Sequence, residues 1–204
     1  MNPPTAVVFD IGNVLINWDP APAIAAGVGP AEAEAFLTAE DFDFHSWNRE
    51  QDAGRTWADG QAVVAESHPH WHPHAVAYVN HFGASLLGAN DDSVGVLRDL
   101  HAAGVPLFAL TNWSAELFPH ALDRFEFLGL FDDIVVSGEV GLAKPDPAVF
   151  AELGGRVGRP LPDCVFIDDS AANVAAARDA GLDAILFTDT GHLRADLRGR
   201  GLPV

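Results

Sequence analysis

The chain has 204 residues, 49% of them hydrophobic, with 29 acidic against 11 basic side chains and a formal net charge of −18. That length suits one compact domain or a domain with a sizeable insertion, and so acidic a surface repels nucleic acid and anionic lipid, which removes both as expected partners. No apolar run approaches the roughly 20 residues of a membrane helix. The opening MNPPTAVVFD lacks the basic-then-apolar order of a signal peptide, and the single cysteine, Cys164, excludes an internal disulfide framework. A cytoplasmic protein is expected.

In chain order, the first buried strand is predicted at residues 6–9, a short run of Ala, Val and Phe. Residues 17–89 carry no strong strand run and read as helices at 30–38, 56–67 and 73–87. Within them SHPHWHPH sets His68, His70, His72 and His74 at every second residue. Pro69 and Pro73 there point to an extended connector with structural or surface histidines. A helix capped by Asp92 and carrying Val94, Leu97 and Leu100 ends at Gly104. Strands follow at 105–110, 134–136, 164–167 and 184–187. Between them, Asp146 with Pro147 marks one helix start, Ser170 marks another, and Gly181 stops the latter. Alternating strands and helices predict an α/β fold, a Rossmann-like doubly wound parallel sheet. Residues 1–16 and 90–204 form the core domain of this reading, and 17–89 an inserted helical cap.

In open parallel sheets ligands bind beyond the carboxyl ends of the strands. Asp10 follows the first strand; Thr111 and Asn112 follow the second; Ser137 follows the third, ahead of the loop with Lys144; Asp168 and Asp169 follow the fourth. Lys144 is the only lysine of the chain. Three crowded carboxylates repel one another unless a cation sits among them, and oxygen-only ligands favour Mg²⁺ over zinc. A metal, an ammonium, a hydroxyl and backbone N–H groups together are what a phosphoryl group requires, with Asp10 as a carboxylate nucleophile.

This order of motifs resembles the haloacid dehalogenase-like hydrolase superfamily along the whole chain. FDIGNVL and DDSAAN look closest to its small sugar-phosphate phosphatases, and the helical insertion is similar to the family's type-one cap. The resemblance implies that Asp10 attacks phosphorus. It implies that Asp10, the Gly12 carbonyl, Asp168 and Asp169 form the Mg²⁺ site, with Asn173 orienting its carboxylates, and that Thr111, Asn112 and Lys144 bind the phosphoryl group, Lys144 also serving catalysis. The expected substrate is a small phosphate monoester, and the expected state a monomer or homodimer. One departure stands out. The family's phosphatases usually carry a second aspartate two residues after the nucleophile as general acid and base, and here that residue is Gly12. Losing a general acid costs about 10²–10⁴-fold in rate, so another group or a water chain replaces it, or turnover is slow. His45 is a candidate replacement.

Two alternatives stay open on the sequence. A 2-haloacid dehalogenase also lacks the second aspartate, uses no metal, and takes halide on an arginine for which Arg49 and Arg55 are candidates. Paired Asp168 and Asp169 have no use in that chemistry. A non-catalytic phospholigand-binding protein is the other. Trp18 and Trp47 are candidates for lining the pocket, Trp57 and Trp71 are expected to pack the helical segment, and Trp113 is expected to face the site because it follows Asn112.

Overall fold

The computed structural model describes residues 4–204. Seven strands are present: β1 (Ala6–Phe9), β2 (Ile16–Trp18), β3 (Leu86–Ala89), β4 (Leu107–Thr111), β5 (Asp133–Val136), β6 (Cys164–Asp168) and β7 (Asp183–Leu186). Five of them form one sheet in the order β5-β4-β1-β6-β7, and every pairing within it is parallel. The helices between β2 and β3 are α1 (Ala21–Val28), α2 (Pro30–Leu37), α3 (Phe44–Asp52), α4 (Trp57–Ser67) and α5 (His72–Asn80). Those that follow are α6 (Asp91–Ala102), α7 (Pro119–Arg124), α8 (Ser137–Val140), α9 (Pro147–Val157), α10 (Ala171–Asp179) and α11 (Thr190–Gly199).

Strand alternation divides the interior into two cores. Val7 and Phe9 face one side, packed with Leu97 and Leu100 of α6 and Leu193 and Leu197 of α11. Ala6 and Val8 face the other, packed with Phe150 and Leu153 of α9 and Val174 and Ala177 of α10. The fully buried β1 therefore reads as a continuous apolar run rather than an alternating one. Cys164 is buried in this core, as expected. The chain leaves β1 to β4 and β5 on one side, then returns to β6 and β7 on the other, so the strand order reverses beside β1 and opens the crevice where such sheets bind ligands.

Just past that crevice the chain turns sharply. Asn13 sits at φ 55°, a left-handed position that asparagine tolerates better than most residues. Its N–H donates to Ile16 O at 2.7 Å, and its Oδ1 accepts from Trp18 N–H at 3.1 Å. This turn sends the chain into β2, which pairs antiparallel with β3. That ribbon corrects the reading of residues 17–89 as free of strands. The helix expected over 73–87 stops at Asn80; Phe82–Ser85 forms a 3₁₀ turn and Leu86–Ala89 joins Ile16–Trp18 instead. Three-residue and four-residue strands have no periodicity to read, and the partner lies about seventy positions away.

Helices α1, α3, α7, α8 and α11 have no counterpart among the helices expected from the sequence. α3 is mostly polar, and only Phe44, Trp47 and Gln51 turn inward. The histidine stretch is not an extended connector: α5 begins at His72 with Pro73 in its first turn, where proline's missing N–H costs nothing. The cap of α6 is Asn90 rather than Asp92, its Oδ1 accepting from Ser93 N–H at 3.4 Å. Asp146 and Ser170 cap α9 and α10 as expected, and Gly181 follows α10 at φ 97°.

Gly138 in α8 marks a close approach. A Cβ there would lie 2.5 Å from Ala115 N and 2.8 Å from Trp113 O, both backbone atoms of the segment leaving β4. Gly155, inside α9, has open space around its Cβ position. Gly138→Ala is expected to lower the unfolding free energy by about 1–3 kcal/mol, and Gly155→Ala to raise it by roughly 0.5–1 kcal/mol. Urea titration of both variants checks the pair; a stabilising Gly138→Ala would refute the close packing of α8 on β4.

Candidate active site

The three central strands of the sheet deliver polar groups to the crevice. Asp10 follows β1, Thr111 ends β4, and Asp168 ends β6 with Asp169 after it. Lys144 arrives from the loop between α8 and α9, across a cis peptide to Pro145. The side chain of Asn112 fixes that loop: its Nδ2 donates to Lys144 O at 2.8 Å, and its Oδ1 accepts from Lys144 N–H at 2.8 Å. Both ends of the Asn112 amide thus hold the lysine in place.

Lys144 is 3% exposed, and its ammonium meets three acceptors. Nζ donates to Leu110 O at 2.8 Å, to Asp168 Oδ2 at 2.8 Å and to Asp10 Oδ1 at 2.9 Å. An ammonium has three protons, so it is fully satisfied. Burial alone disfavours its charge; Asp10 and Asp168 outweigh that and hold Lys144 above the usual lysine range.

Asp168 is fully buried and also saturated. Asn173 Nδ2 donates to Oδ1 at 3.0 Å and Oδ2 at 3.1 Å, and Ser170 N–H donates to Oδ1 at 2.8 Å. Asn173 thus stands directly behind Asp168. Asp10 differs. Its Oδ1 takes both Lys144 and the Ile11 N–H at 2.7 Å, while its Oδ2 has no hydrogen-bond partner among the described residues. Burial pushes the Asp10 carboxyl up to about 7, with Lys144 pulling down and Asp168 and Asp169 adding to the rise. Asp169 is raised as well, by burial and then by Asp168. One oxygen from each of Asp10, Asp168 and Asp169 lies within 4.8 Å of the others.

A cavity of about 170 Å³ opens over Asp10 and is also lined by Gly12, Thr111, Asn112, Lys144, Asp169 and Asn173. Its remaining wall comes largely from the β2–β3 segment and the loop after β4: Trp18, Asn48, Asp52, Trp57, Tyr78, Phe82, Trp113, Ser114 and Leu117. Lys144 is the only cationic side chain among these lining residues.

The structure brings together Asp10, Gly12, Thr111, Asn112, Lys144, Asp168, Asp169 and Asn173, whereas Ser137 is buried behind the site. Ser137 Oγ donates to Asp52 O at 2.5 Å and accepts from Trp113 N–H at 2.9 Å. His45 is exposed and does not line the cavity. Neither does Arg49, which donates to Ser46 Oγ, nor Arg55, which is bound to Gln51 Oε1 and Trp47 O. Trp18 and Trp113 line the cavity as expected and Trp57 joins them, whereas Trp47 packs in the core with its Nε1 donating to Gly60 O.

Sequence reasoning missed Asn48, Asp52, Tyr78 and Phe82. Asp52 is the notable one. Burial pushes its carboxyl up to about 7, while Ser114 N–H, Asn48 and Lys144 pull the other way. Asn48 Nδ2 donates to Asp52 Oδ2 at 3.0 Å. Burial, and then the Asp52 charge, hold the Tyr78 hydroxyl well above its ordinary range. A four-residue spacing between Asn48 and Asp52 on one helix was the available signal, but without a predicted α3 it meant nothing.

A five-stranded parallel sheet with carboxylates at adjacent strand ends and a buried lysine between them defines an α/β, Rossmann-like fold with an acidic cluster at its carboxyl edge. The sequence matches the haloacid dehalogenase-like hydrolase family over residues 4–181, and the chain belongs to that family. It is 30% identical to a phosphoglycolate phosphatase of Cereibacter sphaeroides, with 96% of this chain and 91% of the relative covered. It is 24% identical to a sesquiterpene phosphatase of Aspergillus oryzae, covering 95% and 94%. It is also 29% identical to a drimenol cyclase of Aspergillus calidoustus, where 94% of this chain spans only 35% of the relative. Among solved structures, a haloacid dehalogenase family enzyme of Bacteroides thetaiotaomicron in complex with magnesium superposes with a TM-score of 0.72 at 20% identity, covering 95% and 99%. A dehalogenase with an intermediate complex superposes at 0.67 and 19%, covering 90% and 84%. Likenesses at that identity speak to the fold alone.

Two outcomes follow for stability. Lys144→Met leaves Asp10 and Asp168 buried without their cation and is expected to cost about 3–5 kcal/mol in EDTA. Lys144→Arg is also expected to destabilise, since a planar fork cannot meet three acceptors arranged for an ammonium. Denaturant unfolding measures both, and wild-type stability in Lys144→Met would remove the ion pair as a structural element. The second outcome concerns pH. The folded-state pKa of Asp52 lies above its unfolded value, so ionising it costs stability above pH 7, and that cost fades as pH falls toward 4. Asp52→Asn, permanently neutral, is therefore expected to be more stable than wild type at pH 8 and equal to it near pH 4. A gain that grows on acidification would reverse the sign of the argument.

Proposed function

We propose that this hydrolase is a divalent-cation-dependent phosphatase of small phosphate monoesters, acting through an aspartyl phosphate on Asp10. The observation that carries this reading is the state of the Asp10 carboxylate. Oδ1 is anchored by Lys144 and the Ile11 N–H, and Oδ2 is left to attack along the open side. The donor set fits Mg²⁺: three carboxylates within 4.8 Å carry three negative charges, Lys144 neutralises one, and only oxygens are offered. Asp10, Asp169 and the Gly12 carbonyl would hold the cation, with Asp168 behind them. When bound, it supplies the positive charge that lets a phosphoryl group approach Asp10.

Thr111 lines the phosphoryl end of the cavity; Lys144 and Asn112 act by fixing Asp10 and the loop. The segment 17–89, with α1–α5, serves as the cap over the leaving group. Its wall of Trp18, Trp57, Tyr78 and Phe82, with Trp113 opposite, offers apolar surface and no cation. A leaving group that is a neutral alcohol suits that wall better than one carrying a second phosphate or a carboxylate. A cytoplasmic location and a monomeric or homodimeric state belong to the same proposal. The positions of Arg49 and Arg55, away from the cavity and bound elsewhere, favour this reading over a dehalogenase.

The test is phosphate release from a panel of monoesters with Mg²⁺ and with EDTA, alongside halide release from 2-haloacids. Mg²⁺-dependent hydrolysis is expected, abolished by EDTA and lowered at least about 10³-fold in kcat/KM by Asp10→Asn. Halide release in EDTA would overturn the reading.

A further inference from the structure

We propose that Asp52, reaching into the cavity from the last turn of α3, is the general acid and base of this hydrolase, in place of the carboxylate that position 12 lacks. The inference rests on the phosphatase reading above. Its starting point is an inventory of the cavity wall. Five titratable side chains line it: Asp10, Asp52, Tyr78, Lys144 and Asp169. Asp10 is the nucleophile, Asp169 belongs to the cation, and the three protons of Lys144 are all engaged. Tyr78 holds its proton too tightly to exchange it. Asp52 remains, and its carboxyl titrates near neutrality, where one group can both give and take a proton.

Position 12 itself leaves room for this arrangement. A Cβ at Gly12 would meet nothing within 4 Å, so the space that an aspartate would fill is open cavity between β1 and the cap. Asn48 and Trp113, which also line the cavity, each carry a buried polar atom without a hydrogen-bond partner among the described residues, the acceptor Asn48 Oδ1 and the donor Trp113 Nε1. Asp52 is held for such a role: Asn48 Nδ2 donates to its carboxylate at 3.0 Å, and Ser137 Oγ donates to its carbonyl at 2.5 Å. The ionisable groups on the elements around it are few. Tyr78 of α5 and Lys144 face it, whereas Glu139 of α8, Asp59 of α4 and Glu116 are exposed, Glu116 accepting from Trp57 N–H.

Asp10 Oδ2 bonds to phosphorus as the ester P–O bond breaks; the leaving oxygen keeps the electron pair and takes the proton from Asp52, releasing the alcohol. Water then attacks the aspartyl phosphate and gives its proton to the Asp52 carboxylate. The P–Oδ2 bond breaks back toward Asp10, and phosphate leaves with Asp52 protonated again.

The test compares leaving groups, because only poor ones need an acid. In Asp52→Asn with Mg²⁺, kcat/KM for an alkyl phosphate such as glycerol phosphate is expected to fall about 10²–10⁴-fold. Phosphorylation by acetyl phosphate, whose leaving group is already a weak base, should fall less than about tenfold. The phospho-aspartate should then accumulate, seen as added phosphoryl mass on the intact protein, because its hydrolysis lacks a base. Asp52→Ser carries the same expectation and substitutes if thermal unfolding shows the asparagine variant misfolded. Equal losses on both donors, or no loss on either, would overturn the role of Asp52 while leaving the phosphatase reading intact. A wild-type protein that hydrolyses neither compound with Mg²⁺ would overturn both.

Discussion

The buried ammonium of Lys144 is the interaction on which this site depends. Two carboxylates at the ends of neighbouring strands, Asp10 and Asp168, could not both stay ionised in a dry crevice without it. Its third proton goes to Leu110 O in the adjacent strand, so one side chain ties together β1, β4 and β6 at the edge where the sheet opens. The cost of burying a lysine is offset here because every proton finds an acceptor, two of them charged. Asn112 then matters through the lysine: by closing on both backbone groups of residue 144, it fixes the loop that carries the cation. The sheet supplies positions, and the ion cluster makes those positions compatible.

The cavity has two ends of different character. At the sheet end, carboxylates, a hydroxyl and one ammonium are arranged with little freedom. At the other end the helices between β2 and β3 contribute aromatic rings with a few polar atoms set among them. The β2–β3 ribbon joins the two ends, and the tight turn at Asn13 makes it possible by reversing the chain within a few residues of Asp10. A short stretch of sequence therefore both presents Asp10 and starts the segment that walls the far end of the cavity.

This division also explains what could be read from the sequence. The sheet end was legible because parallel strands announce themselves as apolar runs, and the residue after each run is placed by topology alone. Asp10, Thr111, Asp168 and Asp169 followed from that rule, and Lys144 from its uniqueness. The far end was not legible. Asp52 and Asn48 sit on a short polar helix whose inward face is three residues wide, and Tyr78 and Phe82 straddle a helix end that looked continuous. Their proximity to Asp10 is created by packing between segments, which leaves no mark on local pattern. His45 illustrates the limit. It lies on the same helix as Asp52, yet it faces solvent, and only the three-dimensional phase of α3 distinguishes the two.

Placing the proton donor on α3 rather than beside the nucleophile changes the electrostatics of the site. An aspartate at position 12 would bring another negative charge next to Asp10, Asp168 and Asp169, where burial already presses two of the three toward protonation. Glycine there keeps the cluster at three carboxylates beside the Lys144 ammonium. The carboxyl of Asp52 instead sits among Tyr78, Asn48 and the Ser114 backbone, where a neutral form is favoured and a proton is available at neutral pH. In the proposed scheme the two carboxyl groups occupy different surroundings: Asp10 is paired directly with the Lys144 ammonium, whereas Asp52 is bonded by the neutral amide of Asn48. A proton source on α3 also becomes complete only when that helix packs over the sheet edge, through Ser137 and the segment leaving β4. Under the proposed role of Asp52, proton transfer would depend on the same packing of α3 that walls the cavity.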